Sequence, residues 1–172
     1  MRYIFAMQVL RRSVIGFFFA LSVFAFTLPE AEWRTYTYRS GNFRVSLPGT
    51  PETRKERVMT IKAKAEGTYY MVSFNQLEEP ATNQDDIREA LRAGAQRYAR
   101  NLNAEVEQRR STTLNGLPAR ELRLKSANGV YIWYRIAVSQ DRIYQLSVMS
   151  ALEYPSEENA LRFYESFELL SR

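Results

Sequence analysis

The chain has 172 residues, of which 45% are hydrophobic and 25% charged, a composition typical of one globular domain with a well-buried core. Its formal charge of +5 falls to +3 beyond residue 31, because the first 31 residues hold three arginines and one glutamate; so small an excess does not indicate a nucleic-acid surface. The sequence contains no cysteine and no histidine, which excludes zinc and iron–sulfur sites that need thiolate or imidazole ligands and catalytic triads that need an imidazole base.

Residues 1–31 have the three-part composition of an export signal. Basic residues come first and are followed by an almost wholly apolar run over residues 14–26. This run is shorter than the roughly 20 residues that a helix needs to span a bilayer, which favours removal over a stable anchor. Two cleavage positions fit, one after Ala25 and one after Ala31.

The export signal predicts a periplasmic or otherwise extracytoplasmic protein. Its folded part is then residues 32–172, in which no linker or repeat marks a second domain. We expect membrane contact only through the signal segment or through a partner.

Alternation of apolar and polar residues predicts two β-hairpins in the first half of this domain. The first hairpin joins residues 33–38 to residues 43–47, and Pro48 ends it because proline cannot donate to a strand ladder. The second comprises about residues 56–65 and 68–77.

Two amphipathic helices are predicted. The first follows a cap at Thr82 or Asn83, and its apolar positions recur at helical spacing: Ile87, Leu91, Ala95, Tyr98 and Leu102. Its basic residues, Arg92 among them, are expected on a solvated face and not in a binding stripe. The second helix begins after Ser156, with a buried stripe of Ala160, Leu161, Tyr164 and Phe167. Between the helices, residues 105–113 form a polar strand that is expected at an edge.

Residues 117–149 are predicted to form an antiparallel meander of three strands with turns at residues 127–129 and 140–142. One side of the middle strand is assigned to the core: Val130, Ile132, Tyr134, Ile136 and Val138. The neighbouring strands are expected to add apolar residues to the same side: Leu122, Leu124, Tyr144, Leu146 and Val148. The fold class is therefore α+β, a meander-rich antiparallel sheet of about six to eight strands flanked by two main α-helices.

The other side of the meander carries the candidate binding residues: Tyr131, Trp133, Arg135, Arg123 and Gln145. Aromatic and arginine side chains together are typical anchors of protein interfaces. The alternative is that a helix covers this side, with the tryptophan beneath it and the arginines extended to solvent. No catalytic residue is predicted, because the glycines form no phosphate-binding loop and the paired carboxylates lie mostly at helix starts.

Four segments, in this order, resemble the PsbP/Mog-type superfamily: residues 43–51 (FRVSLPGTP), 116–121 (GLPARE), 142–146 (RIYQL) and 162–167 (RFYESF). This superfamily includes the PsbP proteins of photosystem II and DcrB-like bacterial envelope proteins. The resemblance implies an α/β/α sandwich and a non-enzymatic accessory or ligand-binding domain.

These features predict an exported, non-enzymatic accessory protein of the cell envelope that docks onto a larger membrane-associated assembly. The alternative is a carrier of a lipid or small apolar ligand between sheet and helix, and the third class, an enzyme, would need a cleft with a buried carboxylate of raised pKa. We expect no cofactor, no metal ion and no nucleic-acid partner. An exposed aromatic–arginine surface would favour docking, and a deep apolar cavity would favour the carrier.

Overall fold

The computed structural model describes residues 31–55 and 58–171. The predicted export segment, residues 1–31, lies outside the described residues apart from Ala31. The described strands are β1 (Trp33–Tyr38), β2 (Phe43–Pro48), β3 (Glu52–Lys55), β4 (Met59–Ala65), β5 (Thr68–Gln76), β6 (Ala104–Leu114), β7 (Leu117–Ser126), β8 (Tyr131–Val138), β9 (Arg142–Ser150) and β10 (Glu168–Leu169). The described α-helices are α1 (Gln84–Asn101) and α2 (Glu157–Glu165).

The strands form two antiparallel sheets. The large sheet has the order β3-β4-β5-β9-β8-β7-β6, and the small one has the order β1-β2-β10. The predicted α+β class is confirmed, and the polar strand β6 lies at an edge of the large sheet as expected. The separate small sheet was not predicted, because its third strand is only two residues long and pairs with β2 from the opposite end of the chain.

The large sheet is covered on both faces. On the first, which we call the α1 face, α1 packs over apolar residues of β7 and β8: Leu122, Leu124, Ile132, Tyr134, Ile136 and Val138. On the second, the α2 face, the small sheet and α2 enclose a larger aromatic cluster that includes Phe43, Tyr70, Trp133, Phe163 and Phe167. Residues 132–138 of β8 are consequently all buried, which is characteristic of a strand covered on both sides.

Helix α1 begins as the sequence predicts. The Asn83 side chain accepts hydrogen bonds from the backbone N–H groups of Asp85 and Asp86, at 2.8 and 3.0 Å, while the Asp86 carboxylate accepts one from the Thr82 backbone N–H at 2.9 Å. The hydrogen bonds that the Asp86 carboxylate accepts from the backbone and the side chain of Thr82 lower the pKa of Asp86. The helix lies directly on the sheet, because a Cβ added at Gly94 would be 2.4 Å from the Ile136 Cδ1 atom.

Each helix buries a residue that its predicted apolar stripe did not include. In α1 the buried residue near the end is Ala99, whereas Leu102 follows the helix and is exposed. In α2, Phe163 is buried together with the predicted Ala160 and Tyr164, and Leu161 is only half-buried. The apolar stripe of each helix is wider than one row of residues, so helical spacing alone did not identify the most buried position.

The register between β8 and β9 differs from the prediction by one residue. Val138 pairs with Ile143, so four residues, 139–142, separate the paired positions instead of the three-residue turn 140–142. Because side chains alternate between faces, a slip of one residue moves the whole strand's side chains to the other face. The predicted inward residues of β9 therefore lie on the α2 face: Tyr144, Leu146 and Val148.

The prediction that apolar residues of β8 and β9 share one side is therefore wrong: Ile132 and Ile136 belong to the α1 face, and Leu146 and Val148 to the α2 face. The prediction for β7 is confirmed, because Leu122 and Leu124 share the α1 face with Ile132. Within the described residues, no helix is long and apolar enough to cross a membrane.

Candidate functional site

Two of the predicted binding residues are buried beneath the cover of the α2 face. Trp133 is 2% exposed and belongs to the cluster that α2 closes, and Arg135 is 7% exposed. The Arg135 guanidinium carbon lies 4.2 Å from the centre of the Tyr164 ring, which α2 contributes. A helix therefore covers Trp133, as the alternative predicts, but Arg135 does not extend to solvent as that alternative expected.

The charge of Arg135 is neutralised by Glu121, which sequence reasoning missed. The Arg135 Nε atom donates to Glu121 Oε2 at 3.0 Å, and a second guanidinium nitrogen donates to the same oxygen. The other oxygen of Glu121 pairs with the Arg110 Nη2 atom at 2.6 Å. Glu121 lies directly opposite Arg135 across β7 and β8, so the predicted register of these two strands contained the signal that identifies it.

Burial also raises the pKa of the Tyr164 hydroxyl well above its usual value, although the nearby Arg135 charge acts in the other direction. A neutral phenol above an arginine that is paired with Glu121 stabilises the contact between α2 and β8.

Arg123 reaches the surface beside the start of α2. Its guanidinium carbon lies 4.0 Å from the centre of the Trp133 ring, and its Nη2 atom is 3.8 Å from Glu157 Oε1. The Arg123 side chain is 33% exposed. It therefore covers the buried tryptophan while keeping one edge of its charge in water.

Tyr131 lies half-buried where β8 begins, at an end of the sheet that we call the tyrosine end: Glu107, Lys125, Tyr131, Leu152 and Tyr154. The Tyr131 and Tyr154 rings are 5.0 Å apart in an edge-to-face arrangement, and the Lys125 Nζ atom lies 5.0 Å from the centre of the Tyr131 ring. The Tyr154 hydroxyl donates to Glu107 Oε2 at 2.7 Å. Burial and this hydrogen bond raise the pKa of Tyr154.

Leu152, in the loop between β9 and α2, is 89% exposed. An isolated leucine in a loop carries no periodic signal, so the sequence does not identify Leu152 as a candidate. Its exposure depends on how the loop leaves the sheet, which only the structure shows.

Gln145 is not part of the same surface. The register of β9 places it opposite Ile136, on the α1 face, where its side-chain oxygen accepts a hydrogen bond from the Tyr134 hydroxyl at 2.8 Å. The predicted set of five residues is therefore divided. Trp133 and Arg135 are interior, Tyr131 and Arg123 are partly accessible, and Gln145 belongs to the other face.

The α1 face has a groove of its own, of about 400 Å³, between α1, β6 and β7. Its polar lining residues are Arg92, Gln96, Arg109, Arg110, Ser111 and Arg120. Sequence reasoning regarded Arg92 as part of a solvated helix face and did not connect it with the strand arginines. The structure brings them together because α1 crosses beside the β6 edge.

Helices on opposite faces of an antiparallel sheet define an α+β domain. No protein-family model matches the chain, and no curated protein matches it. Among solved structures, the chain is similar to the solution structure of cyanobacterial PsbP (CyanoP) from Synechocystis sp. PCC 6803, with a TM-score of 0.56 and 10% identity over 83% of this chain and 95% of that one. A protein of Bacteroides thetaiotaomicron VPI-5482 is similar with a TM-score of 0.43 and 10% identity, over 81% of this chain and 49% of that one. The likeness to CyanoP confirms the PsbP-like fold that the four sequence segments imply.

Proposed function

We propose that the protein is a non-enzymatic accessory module of the cell envelope that docks onto a larger membrane-associated assembly through its tyrosine end. The observation that carries this proposal is the exposure of Leu152, two residues before Tyr154 in a tyrosine pair. A large apolar side chain that is 89% exposed gains free energy when a partner covers it. The flanking tyrosines supply large, rigid contact area, which is what interface anchors require.

The charges around the tyrosine end suit a specific protein contact. Lys125 contacts the Tyr131 ring and Glu107 accepts a hydrogen bond from Tyr154, so both signs of charge border the tyrosine pair. A polar border around an apolar centre is the usual organisation of a docking surface. Arg123 and Glu157 continue this border towards the start of α2.

The proposal keeps the accessible members of the predicted binding set. Trp133 and Arg135 are covered by α2, so a partner would meet Tyr131 and Arg123 instead. The resemblance of the sequence segments to PsbP proteins implies an accessory binding domain. The chain has the PsbP-like fold that this implication requires. The export signal predicted in residues 1–31 supports the envelope as the compartment.

The packing of α1 supports docking over the carriage of an apolar ligand between α1 and the sheet. Gly94 lies so close to Ile136 that even a methyl group would overlap it, and Ile143 Cδ1 is 3.2 Å from the same position. The central contact between helix and sheet is therefore filled by side chains of the protein itself.

Leu152→Asp tests this proposal, because it places a charge on the exposed apolar residue of the tyrosine end without disturbing a buried contact. In the full chain expressed in its own envelope, we expect the apparent affinity for isolated envelope membranes to fall by about tenfold or more. The unfolding midpoint should stay within about 0.5 kcal/mol of the parent, as for other surface changes.

Gln140→Asp is the matched control, because it adds the same charge to an exposed residue in the turn at the other end of β8. It should leave membrane association unchanged. Equal effects of the two variants, or no saturable association of the parent, would contradict docking through the tyrosine end.

A further inference from the structure

The groove on the α1 face gathers arginines from three elements. Arg92 and Gln96 stand four residues apart on α1 and share one side of the helix. Ser111 of β6 lies directly opposite Arg120 of β7, and Arg109 is two residues from Ser111 on the same side of the strand. Side chains that belong to separate parts of the chain thus surround one space of about 400 Å³.

Two of these arginines have no ion pair among the described residues. Arg92 is held by Glu89, with its Nη2 atom 2.7 Å from Oε1, and Arg110 is paired with Glu121. None of the ion pairs between described residues involves Arg109 or Arg120, and the groove lining includes no carboxylate. The groove therefore has a local excess of positive charge.

The floor of the groove is apolar. Ala95 and Leu122 are buried there, and Val106 is half-buried. A low-dielectric floor beneath cationic side chains strengthens their attraction for an anion, because less water is available to screen the charges. Arg109 and Arg120 carry like charges on neighbouring strands, and a bound negative group would relieve their mutual repulsion.

We propose that this groove binds a phosphate group carried by a small metabolite or by a lipid headgroup. The guanidinium groups of Arg109 and Arg120 are planar forks of N–H donors that match phosphate oxygens in pairs. The Ser111 hydroxyl and the Gln96 amide add neutral donors from opposite walls. The apolar floor then contacts the nonpolar part of the molecule that carries the phosphate.

The test is a calorimetric titration of the full chain with inorganic phosphate and with glycerol phosphate. Arg109→Gln/Arg120→Gln should weaken phosphate binding by about tenfold or more, because each substitution removes a charged fork. The matched control is Lys62→Gln/Lys64→Gln on β4, which removes the same charge from exposed residues far along the large sheet. The control should bind phosphate as the parent does.

Equal affinities of the arginine pair variant and the lysine control would overturn the proposal, because the attraction would then be a property of the overall charge. No saturable binding of any phosphate probe to the parent would also overturn it, as would arginine-dependent binding of polyglutamate alone. Should the glutamine variant fail to fold, Arg109→Lys/Arg120→Lys keeps the charge and removes the forks. About a threefold loss is then expected, and an unchanged affinity would refute the assigned role of the forks.

Vesicles distinguish the two sources of the phosphate. Phosphatidylcholine vesicles with and without phosphatidic acid are compared for sedimentation of the protein. Arginine-dependent binding to phosphatidic acid vesicles that exceeds binding of glycerol phosphate identifies a lipid headgroup. The reverse order identifies a soluble phosphate ester, and either result supports the phosphate site.

Discussion

The buried pair of Arg135 and Glu121 gives a quantitative test of how the α2 face is held together. Glu121→Gln removes the negative charge and leaves the Arg135 guanidinium in the interior without its counter-ion. Breaking one partner of a buried ion pair costs about 3–5 kcal/mol, because the remaining charge stays in a low dielectric. We expect a loss of this size from the free energy of unfolding.

Removing the arginine should cost less. In Arg135→Met the Glu121 carboxylate keeps its contact with Arg110 at 2.6 Å, so its charge remains paired. We therefore expect a loss of about 1–3 kcal/mol, comparable to one charged hydrogen bond. In Glu121→Leu/Arg135→Met no charge remains inside, and the half-exposed Arg110 can turn towards water, so this variant should lie within about 1 kcal/mol of the parent.

Urea unfolding followed by fluorescence of Trp33 and Trp133 measures all three variants. The slope with urea should remain that of the parent, so that midpoints report stability directly. The reasoning is refuted if Glu121→Gln is no more harmful than Arg135→Met, or if the double variant is less stable than both single variants.

Three further predictions concern the core, the helix start and pH. Ile132→Ala and Leu146→Ala should each lower the free energy of unfolding by about 2–5 kcal/mol. A double-mutant cycle should show a coupling energy below about 0.5 kcal/mol, because the two residues lie on opposite faces of the sheet. A larger coupling energy would mean that the two side chains touch. Asn83→Ala should cost about 1 kcal/mol in urea unfolding, since two backbone N–H groups lose their acceptor, and an unchanged midpoint would contradict the capping role. Burial, followed by the charge of Glu66, raises the pKa of Tyr70 to about 12, above the unfolded value of about 10. The resulting stability is fully present below pH 10 and is lost as the pH rises towards 12, so Tyr70→Phe should make the alkaline loss of stability shallower than in the parent.

The elements that could be predicted are those with local causes. The meander strands follow from period-two alternation, and the start of α1 follows from Asn83 and the carboxylates of its first turn. The edge position of β6 also followed from its polar sequence, since an edge strand of the sheet can remain wet.

The grouping of the candidate binding residues on one face could be predicted only in part. The alternation along β8 correctly grouped Trp133 with Arg135, and the β7 register correctly added Arg123. Gln145 was misplaced because one extra residue in the turn after β8 reverses the faces of β9. Turn length depends on the hydrogen bonds that close the turn, such as the one from the Ser139 backbone N–H to the Arg142 carbonyl at 2.8 Å, and no periodic pattern reveals them.

Period and composition were sufficient for the α+β class, because each strand and helix buries one side of a pattern that neighbouring residues define. Only the tertiary structure decided which sides of the strands and helices are covered by another element of the chain. The α2 face is closed by α2 and by a small sheet whose strands come from both ends of the described chain, and this closure buries Trp133 and Arg135 while leaving Leu152 exposed. Alternation is a property of the local backbone, whereas cover is supplied by elements outside the meander, so the accessible surface follows from long-range packing.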